Sequence, residues 1–145
     1  MKALIEQPEY VPDNVYKFAI KNTRRHLAAL NKTYMLEVRG EILFKSISDV
    51  VCEHFGQTFD EVYALRKDRH TKYKIIRQML VYFLTENLHN NGMMRKQEIS
   101  ARVGYRGHAS GLYHHELVKT FLEIRDKYYI NLVAEIDDKI KNVLT

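Results

Sequence analysis

The sequence predicts an all-α, multi-helix bundle that contains a helix-turn-helix. Three observations carry that expectation. Apolar residues recur at three- and four-residue spacing, as in Ile76, Met79, Leu80, Phe83, Leu84 and Leu88. Residues that cap or break helices stand between the periodic segments: Gly56, Thr58, Asn90-Asn91-Gly92 and Gly104. The stretch from Glu98 to His115 reads as a short amphipathic helix, a tight Gly104-Tyr105-Arg106-Gly107 turn, and a second helix opening on His108-Ala109-Ser110. A helix-turn-helix needs that order, because its second helix must leave the body of the domain and point its first side chains into a DNA groove.

The elements follow in chain order. Residues 1–12 read as extended or disordered, with Pro8 and Pro12 opposing a helix. Asp13 or Asn14 caps a helix through about Leu30, with Val15, Phe18, Ala19, Leu27 and Leu30 as its apolar stripe and Arg24 and Arg25 on another side. Asn31 ends it. Tyr34 to Phe44 reads two ways: a short β-hairpin or extended arm turning at Arg39-Gly40, or a continuing helix with Gly40 as its weak point. The turn residues tip the balance to the hairpin. Ser46 or Ser48 starts the next helix, on a register of Ile47, Val50, Val51, His54 and Phe55. Thr58 caps a short helix whose first turn holds Asp60 and Glu61, where the helix dipole favours acids. A basic loop from Arg66 to Lys72 leads to a long helix over about Tyr73–His89. Arg95 and Lys96 introduce the helix-turn-helix, whose second helix continues through Leu117, Phe121 and Leu122. After a break near Asp126, a last helix carries Tyr129, Val133, Ile136, Ile140 and Val143 on one stripe. The expected organisation is an N-terminal helical extension over 1–45 and a helix-turn-helix domain over 46–145.

Composition narrows the function class. A chain of 145 residues, 46% of them hydrophobic, suits one compact domain with a small extension. No uncharged apolar run is long enough for a membrane span, and the N-terminus lacks the basic-then-apolar pattern of a secretion signal. The lone Cys52 permits no internal disulfide and fits a reducing, cytoplasmic compartment. The net charge of +5 is unevenly placed: Arg66–Lys119 holds eleven Lys/Arg against four acids, so that segment carries +7 and the remainder −2. A polyanion is drawn to the middle of such a chain. His114-His115 does not read as a metal site, because adjacent helix positions diverge by about a hundred degrees. No catalytic arrangement, cofactor motif or small-molecule site is recognisable, so the expectation is a non-enzyme without a cofactor.

Three segments carry a resemblance to a known family. Val51-Cys52-Glu53-His54-Phe55 followed by Phe59-Asp60-Glu61-Val62 forms the first. The second is the basic loop leading to Arg77-Gln78-Met79-Leu80-Val81-Tyr82-Phe83-Leu84. The third is Ile99 to Leu112. Together they resemble the C-terminal duplex-binding domain of the bacterial replication initiator DnaA, of the Trp-repressor-like helical class, over about Ser46 to the end. Gly104, Arg106 and His108 match that family's third segment, whereas Gly107 stands where the family has aspartate and Ala109 where it has threonine. Those two changes remove an acceptor for a cytosine amino group and a contact to a thymine methyl, so the family's own DNA site is not expected here. The chain has no G-x-x-x-x-G-K-[ST] motif and no room for the family's ATPase module.

The resemblance implies a sequence-specific binder of double-stranded DNA, acting in replication initiation or transcriptional control in the nucleoid of a bacterial or phage-infected cell. Arg77 would read the minor groove, and Arg106, His108, Ser110 and His114 would reach base edges from the turn and second helix. Arg66, Lys67, Arg69, Lys72, Arg95 and Lys96 would hold phosphates, which positions the protein without reading sequence. The competing reading is a protein-interaction module on the same scaffold, with residues 1–45 as a homodimer seam or partner surface. Structured RNA is a third reading.

Overall fold

The structure, a computed structural model, describes residues 13–144, the side chains of 13–16 and 18 excepted. The expectations for residues 1–12, and for Val15 and Phe18 on the first apolar stripe, fall outside it. Every described element is helical. Two compact units divide the chain at Leu36/Glu37, earlier than the boundary expected at residue 45.

Helix α1 spans Asp13–His54, so the expected stop at Asn31, the hairpin over 34–44 and the restart at Ser46 or Ser48 are all corrected. Met35, Leu36, Glu37, Arg39, Glu41 and Leu43 suit a helix on intrinsic grounds. Within the second unit, buried Gly40, Phe44, Ile47, Ser48 and Val51 fall on one face at helical spacing. Gly40 marks a crossing, not a turn. A Cβ there would stand 3.1 Å from the carbonyl oxygen of Met93, so the absent side chain lets two backbones approach. In the first unit, residues 21–35 are all exposed.

Gly56, at φ +72°, ends α1, and the Cys52 carbonyl accepts from the N–H groups of Phe55 and Gln57 at 3.0 Å each. Helix α2, Phe59–Ala64, is capped by the Thr58 hydroxyl, which accepts from the Glu61 N–H at 3.2 Å and donates to the Glu61 carboxylate at 3.1 Å. Helix α3, Thr71–Leu84, starts at His70, whose Nδ1 accepts from the Lys72 N–H. It continues into one π-helical turn, Thr85–His89. Ile76, Met79, Leu80, Leu84 and Leu88 of this run are fully buried, as their spacing predicted. Helix α4 is Lys96–Val103, α5 His108–Glu123 and α6 Lys127–Leu144. Leu132, Ile136 and Ile140 bury one side of α6, with Tyr129 and Val133 packed beside them and Val143 left exposed. The core of the second unit therefore lies around α3, which packs against α4 and α5. Among the described residues no helix is long and apolar enough to cross a membrane.

Candidate nucleic-acid interface

Two glycines set the geometry of the α4–turn–α5 unit. Gly104 ends α4 at φ +109°, a conformation L side chains rarely adopt, and a Cβ there would fall 2.8 Å from the Cβ of Arg66. The turn is thereby seated against the loop that follows α2. Tyr105 N–H donates to the Ser100 carbonyl at 3.0 Å, and the Ser100 hydroxyl donates to the Gly107 carbonyl at 3.1 Å. Gly111, one turn into α5, lies directly over Ser100, and a Cβ on it would stand 2.6 Å from the Ser100 Cβ. The two helices thus cross at backbone distance, and α5 opens at His108 with Arg106, Gly107, His108, Ala109 and Ser110 all exposed. No side chain caps that N-terminus. Its first N–H groups and the positive end of the helix dipole face outward.

Beside this helix start is a cleft of about 580 Å³ where cations from distant parts of the chain converge. Arg66, Lys67 and Arg69 enter from the loop after α2, Arg106 from the turn, and Arg77 from the first turns of α3. Tyr63 and Tyr105 supply aromatic walls. The Arg66 guanidinium lies 4.7 Å from the centre of the Tyr63 ring and donates to the Tyr63 carbonyl at 3.2 Å. Among the described residues none of these five cations forms an ion pair. The nearest acid in sequence, Asp68, instead accepts from the His70 N–H at 2.7 Å.

Two of the expected base readers turn inward. Arg77 is only 7% exposed. Its Nη1 donates to the Leu65 carbonyl at 3.2 Å and its Nη2 to the Asp68 carbonyl at 2.8 Å. Its guanidinium therefore ties down the basic loop from beneath, with its best donors already engaged. His114 is half-buried, stacks on Tyr105 at 5.1 Å between ring centres, and places Nδ1 3.1 Å from the Gln78 side-chain nitrogen. Burial, followed by the charges of Lys74 and Arg77, holds its pKa below the usual imidazole value. The neutral ring is then the acceptor and Gln78 the donor. Gln78 in turn accepts from the Tyr129 hydroxyl at 2.9 Å. The chain Tyr105–His114–Gln78–Tyr129 thus joins the turn, α5, α3 and α6.

The remaining expected positions scatter. His108 and Ser110 stand exposed at the start of α5, with Arg106 just ahead of them. Lys72 is exposed near the start of α3, its ammonium 6.0 Å from the Tyr73 ring centre, and does not line the cleft. Arg95 and Lys96 sit at the start of α4, likewise outside the cleft. Arg102 belongs to the basic segment by sequence, yet both its terminal nitrogens bond Glu41 at 2.8 Å, so its charge is answered within the fold. Tyr63 and Tyr105 were not singled out from sequence as site residues. Their place between two basic clusters was the available signal. Among the described residues no three His, Cys, Asp or Glu side chains gather where they could hold a metal ion. Comparison with family models, curated proteins and solved structures gives no match.

Proposed function

We propose that this protein binds double-stranded DNA in a sequence-dependent manner through a DnaA-like helix-turn-helix. The observation that carries the proposal is the convergence of Arg66, Lys67, Arg69 and Arg106 on one cleft without acidic partners among the described residues, next to the uncovered start of α5. A phosphate run lies in the cleft, and the strand's charge replaces the carboxylates the fold does not supply. The first turn of α5 then enters the adjoining major groove, where His108, Ser110 and Arg106 offer donors to base edges. Arg77 acts one step back, by fixing the loop that carries Arg66, Lys67 and Arg69. With glycine at 107 and alanine at 109, the preferred site differs from that of the DnaA family. The role lies in replication initiation or transcription.

Selection from a random duplex pool tests the reading. We expect an enriched motif and affinity that falls steeply with salt. No enrichment, or binding indifferent to salt, refutes it.

A second reading, a protein-interaction module, is favoured by Leu27, Leu30, Tyr34 and Met35 of α1, each more than half exposed. Joint loss of Arg106 and His108 separates the two, since a module of that kind keeps its partner.

A further inference from the structure

The first unit holds a pattern that the helix-turn-helix does not use. From Asn14 to Leu36 the chain has five Lys/Arg and no Asp or Glu. Lys17, Lys21, Arg24, Arg25 and Lys32 are all exposed and all on α1. At a hundred degrees per residue they fall within an arc of about 100°, so they form one stripe. Ile20, Leu27, Leu30 and Tyr34 form a narrower stripe centred roughly 130° away. Among the described residues none of the five cations has an ion-pair partner. Three like-charge neighbours, Lys17–Lys21, Lys21–Arg24 and Lys21–Arg25, lie at the three- and four-residue spacings where like charges destabilise a helix. A polyanion laid along the stripe turns that repulsion into attraction.

We infer that this stripe of α1 is a second nucleic-acid contact, gripping the phosphate backbone of duplex DNA beyond the segment held by the helix-turn-helix. The inference rests on the duplex-binding reading above. From Lys17 to Lys32 the helix rises about 22 Å, and one DNA strand presents a phosphate roughly every 3.4 Å along its axis. The stripe therefore matches a run of about six phosphates with five cations. Lys and Arg on an exposed helix carry no sequence information in this role; they add affinity and salt dependence. The apolar stripe is too narrow, with Thr23 and Asn31 interrupting it and no tryptophan in the chain, to make a bilayer surface the better partner.

The test compares three full-length proteins: wild type, the α1 variant K17Q/K21Q/R24Q/R25Q/K32Q, and the cleft variant R66Q/R69Q/R106Q. Each is titrated with an unselected duplex and a selected one between 50 and 200 mM salt, after circular dichroism shows unchanged helicity. Five released counterions give a log–log salt slope shallower by about four in the α1 variant. The ratio of selected to unselected affinity stays constant. An α1 variant with the wild-type slope, beside a cleft variant that loses binding, overturns this inference and leaves the helix-turn-helix reading standing. The reverse pattern keeps the α1 contact and refutes the reading of the cleft. Vesicles of phosphatidylglycerol that bind wild type but not the α1 variant, with duplex affinity equal in both, also overturn it and assign the stripe to a membrane surface.

Discussion

Replacing Arg77 by alanine separates a loop organiser from a groove reader. In the structure Arg77 is buried and bridges the carbonyls of Leu65 and Asp68 at 3.2 and 2.8 Å. A hydrogen bond from a charged donor is worth about 1.5–3 kcal/mol. Two are lost, but the freed carbonyls lie in an exposed loop and regain water, so a net loss of about 2–4 kcal/mol is expected. That lowers a urea midpoint by about 1–2 M. The basic loop loses its anchor at the same time, so duplex affinity falls by a similar factor for every sequence. Urea unfolding followed by fluorescence, and titration of a panel of duplexes, read the two effects separately. A variant within about 0.5 kcal/mol of wild type that loses preference at one A·T-rich position refutes the reasoning. It means that Arg77 leaves its carbonyls and enters the minor groove.

Three further outcomes are expected. His114 has a lowered pKa through burial and the charges of Lys74 and Arg77, and His54 through burial and Lys139. Unfolded imidazoles therefore take protons first, so stability is complete above about pH 6.5 and declines as pH falls through that value; urea midpoints at pH 7.5 and 5.5 measure the loss, and H114N shrinks it. Substituting Gly111 by alanine forces a Cβ to within 2.6 Å of the Ser100 Cβ. Overpacking of about 1–3 kcal/mol outweighs the gain of about 1 kcal/mol from helix propensity, so thermal unfolding shows a net loss. The double variant G107D/A109T restores the two side chains of the DnaA family in space that is open at position 107 and exposed at 109. Its stability stays within about 0.5 kcal/mol of wild type, while its selected motif gains preference at the positions those residues face, by about 1–3 kcal/mol per base pair. An unchanged motif sinks the assignment of α5 as reader.

The helices after Gln57 were legible in the sequence because their signals are local. Thr58 with Glu61, the spacing of Ile76, Met79, Leu80 and Leu84, and the glycine at 104 each act within a few residues. Gly40 misled because its cause is distant in sequence. Glycine reads as a turn until the Met93 backbone is seen to pass 3.1 Å from where a Cβ would stand. The basic loop was likewise visible as a charge run, and its exposure follows from composition alone. That Arg77 is held within the fold was not visible, because its partners are carbonyls, which every residue has. His114 and His115 are adjacent in sequence and both turn inward, one to Gln78 and the other to Glu86 at 2.8 Å. A polar side chain on a helix start looks the same in sequence whether it faces water or a buried amide.

The parts that place α5 are distinct from the parts it presents. Its position is set by Gly104 against Arg66, by Gly111 over Ser100, and by His114 bonded to Gln78. None of these falls among residues 106–110, where every side chain is exposed. Changes in that exposed turn leave the crossing with α4 untouched, since nothing in the core touches them. The departures from the DnaA pattern at Gly107 and Ala109 therefore bear on which bases are met and not on whether the helix stands in place. Arg66 joins the two systems, because its Cβ backs the turn at Gly104 while its guanidinium lies over Tyr63 in the cleft. A phosphate drawn to Arg66 is consequently held at a fixed distance from the start of α5. That fixed distance makes a non-specific grip on the backbone also set the register in which base edges are read.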